Sequence, residues 1–452
     1  MTPPELDPAI IRGAGLMVPV LLTIGVAVWR RPSRAALTGA LLATLWHLPA
    51  LFLVHRLAAG AGWWRFLPSI GQPAAAGADA VGGQLDGFPV DLWLGWALLW
   101  GAIPVLAWPR VPLAAVAALA VVVDLLVMPR LAPVLVLGDR WLLGEAVAVV
   151  AALVPALLLG QWTAEQRRLG ARVALQVVLA GGLMLWLLPV AALAATGTPE
   201  RWLAGIPGWQ LGLAVQVLAV PAIVAVTAVI EFAVRGGGTP VPYDPPRRLV
   251  TSGPYAYVAN PMQTGMTLLL LGWGALLGSR EVAAAGLMAV VYGAGLAAWH
   301  EGVELRERFG EPWAAYRRAV RPWWPRWRPY AAPPARLYVA ASCPSCSEVG
   351  SWLHARRPAG LELHPAEMTG TGLRRLTYVA ADGTTERGIR AFARALEHIH
   401  LGWALAGWVL RLPVVDRFAQ LLLDAVGGGP RDLDPAAPRR APWATANDEV
   451  TR

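Results

Sequence analysis

Lysine is absent from this chain of 452 residues, so all 38 of its basic residues are arginines. Charge of either sign is scarce: 15% of the residues are charged and 56% are hydrophobic, whereas a soluble domain carries roughly 25% charged residues. The arginines lie mostly in short segments between long apolar runs, which is the pattern by which a membrane protein sets its topology. The formal net charge of +9 therefore does not indicate a nucleic-acid partner, and none is expected.

Cysteine is almost as scarce, because the only two residues, Cys343 and Cys346, stand in a single C-x-x-C. Two cysteines cannot form a disulfide framework. A structural zinc site would need two more ligands, and neither His354 nor His364 has the spacing of a second ligand pair. A redox-active pair, idle cysteines and a zinc half-site remain as alternatives, and the redox pair fits best.

Long apolar runs dominate the first 300 residues. A helix needs about 20 apolar residues to cross a bilayer, and this criterion predicts nine spans, at 9–29, 35–55, 90–108, 111–128, 141–161, 172–195, 209–234, 262–279 and 283–300. With the N-terminus outside, the inner loops carry more arginines than the outer ones. The positive-inside rule then places 235–261 and everything after residue 300 in the cytoplasm.

The segment around the C-x-x-C has soluble composition and mixed α/β patterning. ARLYVAASCPSC predicts a strand and a turn, with Cys343 near the N-cap of the next helix and Pro344 at its first position. A helix N-terminus stabilises a thiolate, so Cys343 is the predicted attacking thiol. Cys346, one turn further on, is the predicted resolving thiol.

A Gly- and Pro-rich segment precedes the eighth predicted span and reads GGTPVPYDPPRRLVTSGPYAYVANPM. Together with the charged helix after the ninth span, it resembles the isoprenylcysteine carboxyl methyltransferase and phospholipid methyltransferase family of integral membrane enzymes, over about residues 210–328. The residues that carry the resemblance are Gly253, Pro254, Tyr255, Asn260 and Pro261, followed by Glu301, Leu305, Phe309, Gly310 and Tyr316.

The resemblance implies methyl transfer from S-adenosylmethionine to a lipophilic acceptor in the bilayer, either isoprenylcysteine carboxylate-like or phospholipid-like. It implies cofactor-binding roles for Gly253, Pro254, Tyr255, Asn260, Pro261, Glu301 and Glu304, catalytic roles for Glu301 and Asn260, and no metal. An interfacial carboxylate such as Glu301 is also costly unless it is paired or functional.

The chain departs from the family pattern at three positions. Ala259 replaces the arginine that usually precedes Asn-Pro, and Gln263 replaces a tyrosine. Gly302 replaces the second glutamate, unless Glu304 substitutes for it one turn later. The arginine is a donor suited to a carboxylate, and its loss puts catalysis by this chain in question.

Residues 336–432 resemble a second family, the DCC family (DUF393) of small thioredoxin-like domains that are predicted thiol-disulfide oxidoreductases. The resemblance rests on the C-x-x-C, on LTYVAADGTTERGIRAFARALEHI, on Trp403, on the RLP at 411–413 and on VVDRFAQLLLDAV. The family's Asp-Gly-Asp before the first cysteine is replaced by Ala340, Ala341 and Ser342. The resemblance implies a thiol or disulfide protein partner, with no cofactor bound in this domain.

The predicted architecture is a polytopic α-helical membrane protein of about nine transmembrane helices with a C-terminal soluble α/β thioredoxin-like domain. It would lie in the inner (plasma) membrane with the C-terminal domain in the cytoplasm. The predicted domains are an unassigned bundle at 1–207, a methyltransferase-like membrane domain at 208–330, a Pro-rich linker at 331–335, the thioredoxin-like domain at 336–432 and a disordered tail at 433–452.

The predicted function is S-adenosylmethionine-dependent methylation by an integral membrane enzyme. The alternative is a membrane-tethered thiol-disulfide oxidoreductase, or a redox-sensing adaptor, whose methyltransferase-like part is inactive.

Overall fold

A computed structural model describes residues 7–67, 83–132, 134–196, 205–240, 246–330, 333–369, 372–432 and 443. The chain folds into two compact units. The first comprises Met1–Ala214, Gly237–Pro245 and Leu269–Leu287, and the second comprises Val215–Gly236, Pro246–Leu268 and Met288–Arg452. The predicted tail at 433–452 lies outside the described residues except for Trp443, and residues 331 and 332 of the predicted linker also lie outside them.

Seven helices of the described segments are long and apolar enough to cross a membrane, so the chain is a multi-pass helical membrane protein. They are α1 (Pro8–Arg30), α2 (Arg34–Ala61), α3 (Val90–Ala107), α4 (Leu113–Leu131), α5 (Trp141–Ala164), α6 (Leu169–Ala195) and α7 (Gly208–Gly236).

Seven of the nine predicted spans meet this criterion among the described residues. The eighth and ninth runs are also helical: α8 (Pro261–Leu277) has 17 residues, and α9 (Arg280–Tyr292) has 13 before a π-helical turn continues it. Pro261 begins α8, and Gly278, with a φ of +63°, follows its last residue. The eighth helix therefore begins at the predicted start of the run and ends at Leu277, close to the predicted end at residue 279. After α9, a π-helical turn at Gly293–Ala297 leads into α10 (Ala298–Ala319).

Helix α2 is largely enclosed within the first unit, and Ala43, Phe52 and Ala58 on it have no exposed surface. Gly39 on α2 and Gly160 on α5 lie so close that a side chain at Gly39 would collide with the Gly160 carbonyl. Small residues allow this kind of close approach between membrane helices. Two short antiparallel pairs complete the unit: β1 (Trp64–Phe66) with β4 (Leu135–Leu137), and β2 (Gln84–Leu85) with β3 (Phe88–Pro89).

The C-terminal part of the second unit is an α/β region built on a four-stranded sheet. Its strands are β5 (Ala335–Val339), β6 (Leu361–Pro365), β7 (Thr377–Val379) and β8 (Thr385–Arg387), and their order is β6-β5-β7-β8. β5 and β6 are parallel and flank α11 (Pro344–Ala355), whereas β7 pairs antiparallel with both β5 and β8.

Three further helices follow the sheet: α12 (Ile389–Leu396), α13 (Leu401–Leu410) and α14 (Val415–Leu423). The core of the region is apolar, and its fully buried members include Leu337, Val339, Leu353 and Ala391. The prediction of a C-terminal α/β region is confirmed.

Candidate functional site

The Gly-Pro-Tyr segment forms a buried turn, Gly253–Ala256, in the second unit. Gly253 has a φ of +59°, which L-residues rarely adopt. A Cβ added there would lie 3.1 Å from Cγ of Glu231, so the turn lies directly against that side chain. Tyr255 is buried, with its ring 6.1 Å from the ring of Phe232.

Glu231 lies near the end of α7 and has no exposed surface. Ser252 Oγ donates a 2.6 Å hydrogen bond to its carboxylate. Arg394 donates two, at 2.9 and 2.8 Å, and Arg411 donates one at 3.0 Å. A buried carboxylate is costly unless its oxygens are paired in this way. The turn therefore rests on an acid that two arginines of the α/β region hold in place.

The ion pairs extend beyond Glu231 within the same unit. Arg394 also donates to Glu386 at 2.8 Å, and Arg411 donates to Glu397 at 2.7 Å. Burial alone would lower the pKa of Arg394, but the surrounding carboxylates hold it well above its usual range. The arginine stays charged, and the buried charges of the cluster offset one another.

A strap at 321–330 contacts both the motif segment, residues 253–261, and the α/β region, where the Leu401 amide donates to the Trp327 carbonyl at 2.9 Å. Four backbone hydrogen bonds join the strap to the motif segment: Ala259 N–H to Arg321 O (2.9 Å), Asn260 N–H to Pro322 O (3.1 Å), Arg326 N–H to Tyr257 O (2.9 Å) and Tyr330 N–H to Ala256 O (2.8 Å). Tyr257 is fully buried, and its hydroxyl donates to the Glu397 carbonyl at 2.7 Å. The motif segment and the α/β region are therefore parts of one packed structure.

One contact joins the two halves of the family pattern. The hydroxyl of Tyr316, on α10, donates a 2.9 Å hydrogen bond to the Tyr255 carbonyl. Burial raises the pKa of Tyr316, so the hydroxyl remains a donor at neutral pH. Gly310, with φ +55° and ψ −135°, bends α10 ahead of Tyr316, and this conformation is nearly restricted to glycine.

The predicted glutamates lie on the same helix. Glu304 is half-buried on α10. Glu301 is within the range of α10, but its side chain lies outside the part of the chain that the structure describes. Asn260 contributes backbone groups, since its N–H bonds the strap and its carbonyl accepts from Thr264 Oγ1 at 2.9 Å. Pro261 is the first residue of α8, as an Asn-Pro at the start of a helix requires.

Gln263, which departs from the family pattern, lies at a close approach between helices. A Cβ at Gly293 would come within 2.7 Å of Gln263 Oε1 and 3.1 Å of the Trp323 ring. Gln263 Oε1 is buried and has no hydrogen-bond partner among the residues that the structure describes. A buried oxygen without a partner is suited to accept a hydrogen bond from a ligand.

Residues 208–311 match the phospholipid methyltransferase family. The match includes the buried turn, the Asn-Pro start of α8 and both predicted glutamates. It therefore supports a membrane methyltransferase core, as the resemblance implied. A comparison with curated proteins finds no match, and a comparison with solved structures finds none either.

The C-x-x-C has the geometry that the sequence predicts. Cys343 caps α11, with Pro344 at the first helical position, and accepts a 3.4 Å hydrogen bond from the Cys346 amide. Cys346 Sγ lies 2.7 Å from Cys343 Sγ, and both thiols are free. Arg431 Nη1 donates a 3.0 Å hydrogen bond to Cys343 Sγ.

These contacts divide the two thiols into an acidic and a weakly acidic one. Burial opposes ionisation of Cys343, but hydrogen bonds from Cys346 and Ser345 and the charge of Arg431 lower its pKa on balance. Burial and the adjacent Cys343 sulfur raise the pKa of Cys346 to about 12. An attacking and a resolving thiol need this difference.

Glu367, from another segment of the chain, lies against the loop that precedes Cys343. Its carboxylate accepts hydrogen bonds from Ser342 N–H at 2.9 Å, Ser342 Oγ at 2.7 Å and Ala341 N–H at 3.1 Å. Partial burial would raise the pKa of Glu367, but these donors hold it below its usual value. The loop before the cysteines is thereby fixed by an acid from another segment.

Sequence reasoning missed Glu231, its arginine partners and Arg431. One feature of the sequence could have indicated Glu231 as a functional residue, because it is the first charged residue after a long apolar run. No such feature indicates the three arginines, because nothing in the local sequence distinguishes Arg394, Arg411 and Arg431 from the others. As to the zinc alternative, no group of three or more potential ligands occurs among the described residues.

Proposed function

We propose that this chain is an integral membrane methyltransferase that uses S-adenosylmethionine and methylates a lipophilic acceptor, either isoprenylcysteine carboxylate-like or phospholipid-like. The proposal includes a site at the cytoplasmic face of the inner membrane. The main support for a methyltransferase is the hydrogen bond from Tyr316 to the Tyr255 carbonyl. This bond brings together the two halves of the family pattern, which are about 60 residues apart in sequence.

The residues of the motif suit the cofactor. Gln263 Oε1, which has no partner in the described part of the chain, lies beside the Trp323 ring. An aromatic face attracts a cation such as a sulfonium, and an amide oxygen can accept from an amino group. Glu301 and Glu304 would hold the remaining polar groups.

When bound, S-adenosylmethionine supplies a methyl group that is already activated by the positive sulfur. The chain itself therefore has to bind, orient the acceptor and exclude water. The buried turn and the strap are suited to this, because their backbone is fixed by hydrogen bonds on several sides.

The test is formation of S-adenosylhomocysteine by the purified protein in bilayers of total lipid extract. We expect Glu301→Gln and Asn260→Ala to abolish turnover and Cys343→Ser/Cys346→Ser to retain it. Calorimetry with S-adenosylhomocysteine tests cofactor binding separately. No binding heat at sub-millimolar ligand, together with no turnover, would overturn the proposal.

A second function is favoured by the Arg431–Cys343 contact. We propose that the α/β region is thioredoxin-like, of the DCC type, and exchanges thiols and disulfides with a protein partner. The order β6-β5-β7-β8 and the C-x-x-C at the start of α11 support this assignment.

In this reaction the Cys343 thiolate attacks the partner's disulfide and releases one partner thiolate. Cys346, on losing its proton, attacks Cys343 Sγ and releases the second. Two electrons pass to the partner, and the Cys343–Cys346 disulfide remains. A cellular dithiol must then reduce it before the next cycle.

Mass spectrometry of the protein after brief alkylation at neutral pH tests this second function. We expect label on Cys343 first, and reduction of a model disulfide substrate that Cys343→Ser abolishes. Preferential labelling of Cys346 would reverse the assignment of the two thiols.

A further inference from the structure

Helix α14 exposes its apolar side and buries its polar one. Phe418, Leu421 and Leu422 are 60%, 67% and 52% exposed, and Val414, just before the helix, is 73% exposed. Residues at this spacing lie on one face of a helix. On the surface helix of a soluble domain this face would point into the core, so here it requires a different explanation.

The inner face of α14 is polar and paired. Asp416 is buried and accepts a 2.6 Å hydrogen bond from Arg390 Nε. Gln420 accepts from the Ile389 amide at 2.8 Å and donates to Asp424 at 2.7 Å. These contacts fix the rotation of the helix, so its apolar side cannot turn inward without breaking them.

A basic cavity of about 500 Å³ lies beside the exposed face. Its lining contains three arginines and one aspartate, and it is formed by Arg387, Ile389, Arg390, Asp416, Arg417, Gln420 and Leu421. The excess of positive charge complements anionic headgroups. Apolar side chains beside arginines are the composition of a helix that lies in a membrane interface.

The position of α14 along the chain brings it to the membrane surface. Arg411 bonds Glu231, the first charged residue of α7 after 23 uncharged ones from Gly208. About 20 residues cross the hydrocarbon core, so Glu231 lies where α7 leaves it. Val415 is four residues beyond Arg411, and four residues reach at most about 14 Å.

We propose that α14 is an interfacial helix that inserts Phe418, Leu421 and Leu422 into the bilayer surface. Arg387 and Arg417 bind anionic phospholipid headgroups beside it, while Arg390 stays paired with Asp416. The helix thereby holds the α/β region at the membrane on which the spans end. This inference depends on the membrane-spanning helices and not on either proposed activity.

The native cysteines are few enough to make the test simple. The full chain with Cys343→Ser and Cys346→Ser is placed in nanodiscs that contain phosphatidylglycerol, and a fluorophore is attached at Phe418→Cys or Leu422→Cys. The control is the same label at Glu348→Cys, an exposed polar position on α11. We expect lipids with a quencher on the acyl chain to quench the first two labels at least threefold more than the control.

Two results would overturn the proposal. Labels at 418 and 422 that respond to a water-soluble quencher like the control would mean that the face is solvated. Labels that both quenchers fail to reach would mean that a second copy or another protein covers the face. Far-ultraviolet circular dichroism on each variant confirms that the variant is folded before it is compared.

The binding of anionic headgroups is tested by a separate experiment. Quenching of the label at 418 by the lipid quencher should be about twofold stronger in nanodiscs of phosphatidylcholine mixed with phosphatidylglycerol than in nanodiscs of phosphatidylcholine alone. The double variant Arg387→Gln/Arg417→Gln should remove this rise. Arg336→Gln/Arg374→Gln, two exposed arginines elsewhere in the region, should retain it. Added inorganic phosphate should leave the rise unchanged. A rise that survives the first pair, or that phosphate abolishes, would contradict headgroup binding.

Discussion

Arg394 and Glu231, which are 163 residues apart in sequence, form a bidentate ion pair. Nη1 and Nη2 of the arginine donate to the two carboxylate oxygens at 2.9 and 2.8 Å. Neither side chain is appreciably exposed. This geometry is the strong form of an arginine–carboxylate contact. It connects the end of a membrane span to the α/β region, so the Gly253–Ala256 turn and the α/β region depend on each other for stability.

We predict that Arg394→Met destabilises the protein by about 3 kcal/mol, because it leaves a buried carboxylate with fewer partners. Thermal unfolding of the purified protein in detergent measures this. The control is Arg374→Met, whose ion pair with Asp432 is largely exposed, and which should change little. Equal melting temperatures for the two variants would contradict the prediction.

Gly253→Ala should destabilise more than Gly62→Ala. Both positions have positive φ, at +59° and +67°, so each replacement costs on the order of 1 kcal/mol of backbone strain. At Gly62 the new Cβ meets no atom within 4 Å, whereas at Gly253 it crowds Glu231. Glu231 cannot move away, because its arginines hold it.

Melting temperatures of the two glycine variants, side by side, measure the difference. S-adenosylhomocysteine formation should also fall in Gly253→Ala. A Gly62→Ala variant that melts at the same temperature or lower would mean that Glu231 yields to the added methyl group.

Tyr316→Phe should lower methyl transfer at least tenfold while costing only about 1 kcal/mol of stability, since it removes one neutral hydrogen bond. The activity effect follows from the loss of the bond that positions the Tyr255 carbonyl. Tyr330→Phe serves as the matched control, because its ring contacts that of Tyr316 but its hydroxyl is not part of this bond. Turnover of Tyr316→Phe equal to that of Tyr330→Phe would show that the bond is structural only.

Alkylation of Cys343 should follow an apparent pKa below that of an ordinary thiol, and Arg431→Gln should raise that pKa. The pKa of Cys343 is lowered in the folded state. Its thiolate therefore adds stability above the unfolded pKa, and this stability is lost as the pH falls through the folded pKa. Rates of iodoacetamide labelling from pH 5 to 10, read by mass spectrometry, give both curves.

The control for the thiol is Arg374→Gln, which removes an exposed guanidinium from the residue whose carbonyl accepts a 2.9 Å hydrogen bond from the Arg431 amide. Superimposable pH curves for the native chain and Arg431→Gln would mean that the arginine does not act on the thiolate. A curve for Arg374→Gln that shifts as far would mean that the effect is one of net charge.

The sequence by itself determined the elements whose signal is local. Long apolar runs specified α1–α7, because crossing the bilayer requires an uninterrupted apolar helix. Pro344 behind Cys343 specified the start of α11, because proline is suited to the first turn of a helix. The family pattern identified the turn at Gly253, and the match over 208–311 supports the interpretation.

The sequence predicted less where the signal is weak. The strand β8 was missed because Thr385, Glu386 and Arg387 show no apolar alternation and pair only through their backbone with β7. The eighth and ninth apolar runs were also predicted as spans; both are helical, but neither is among the seven helices that meet the length and apolarity criterion in the described residues.

The tertiary structure alone decided which charges meet. Glu231 and Arg394, and Cys343 and Arg431, are far apart in sequence, and the chain contains many other arginines that could have been their partners. A buried charge must be paired whatever the local sequence is, and the fold decides which arginine comes within reach. The outward apolar face of α14 has the same origin: its residues predict an amphipathic helix, but only the contacts of Asp416 and Gln420 determine which side faces the protein.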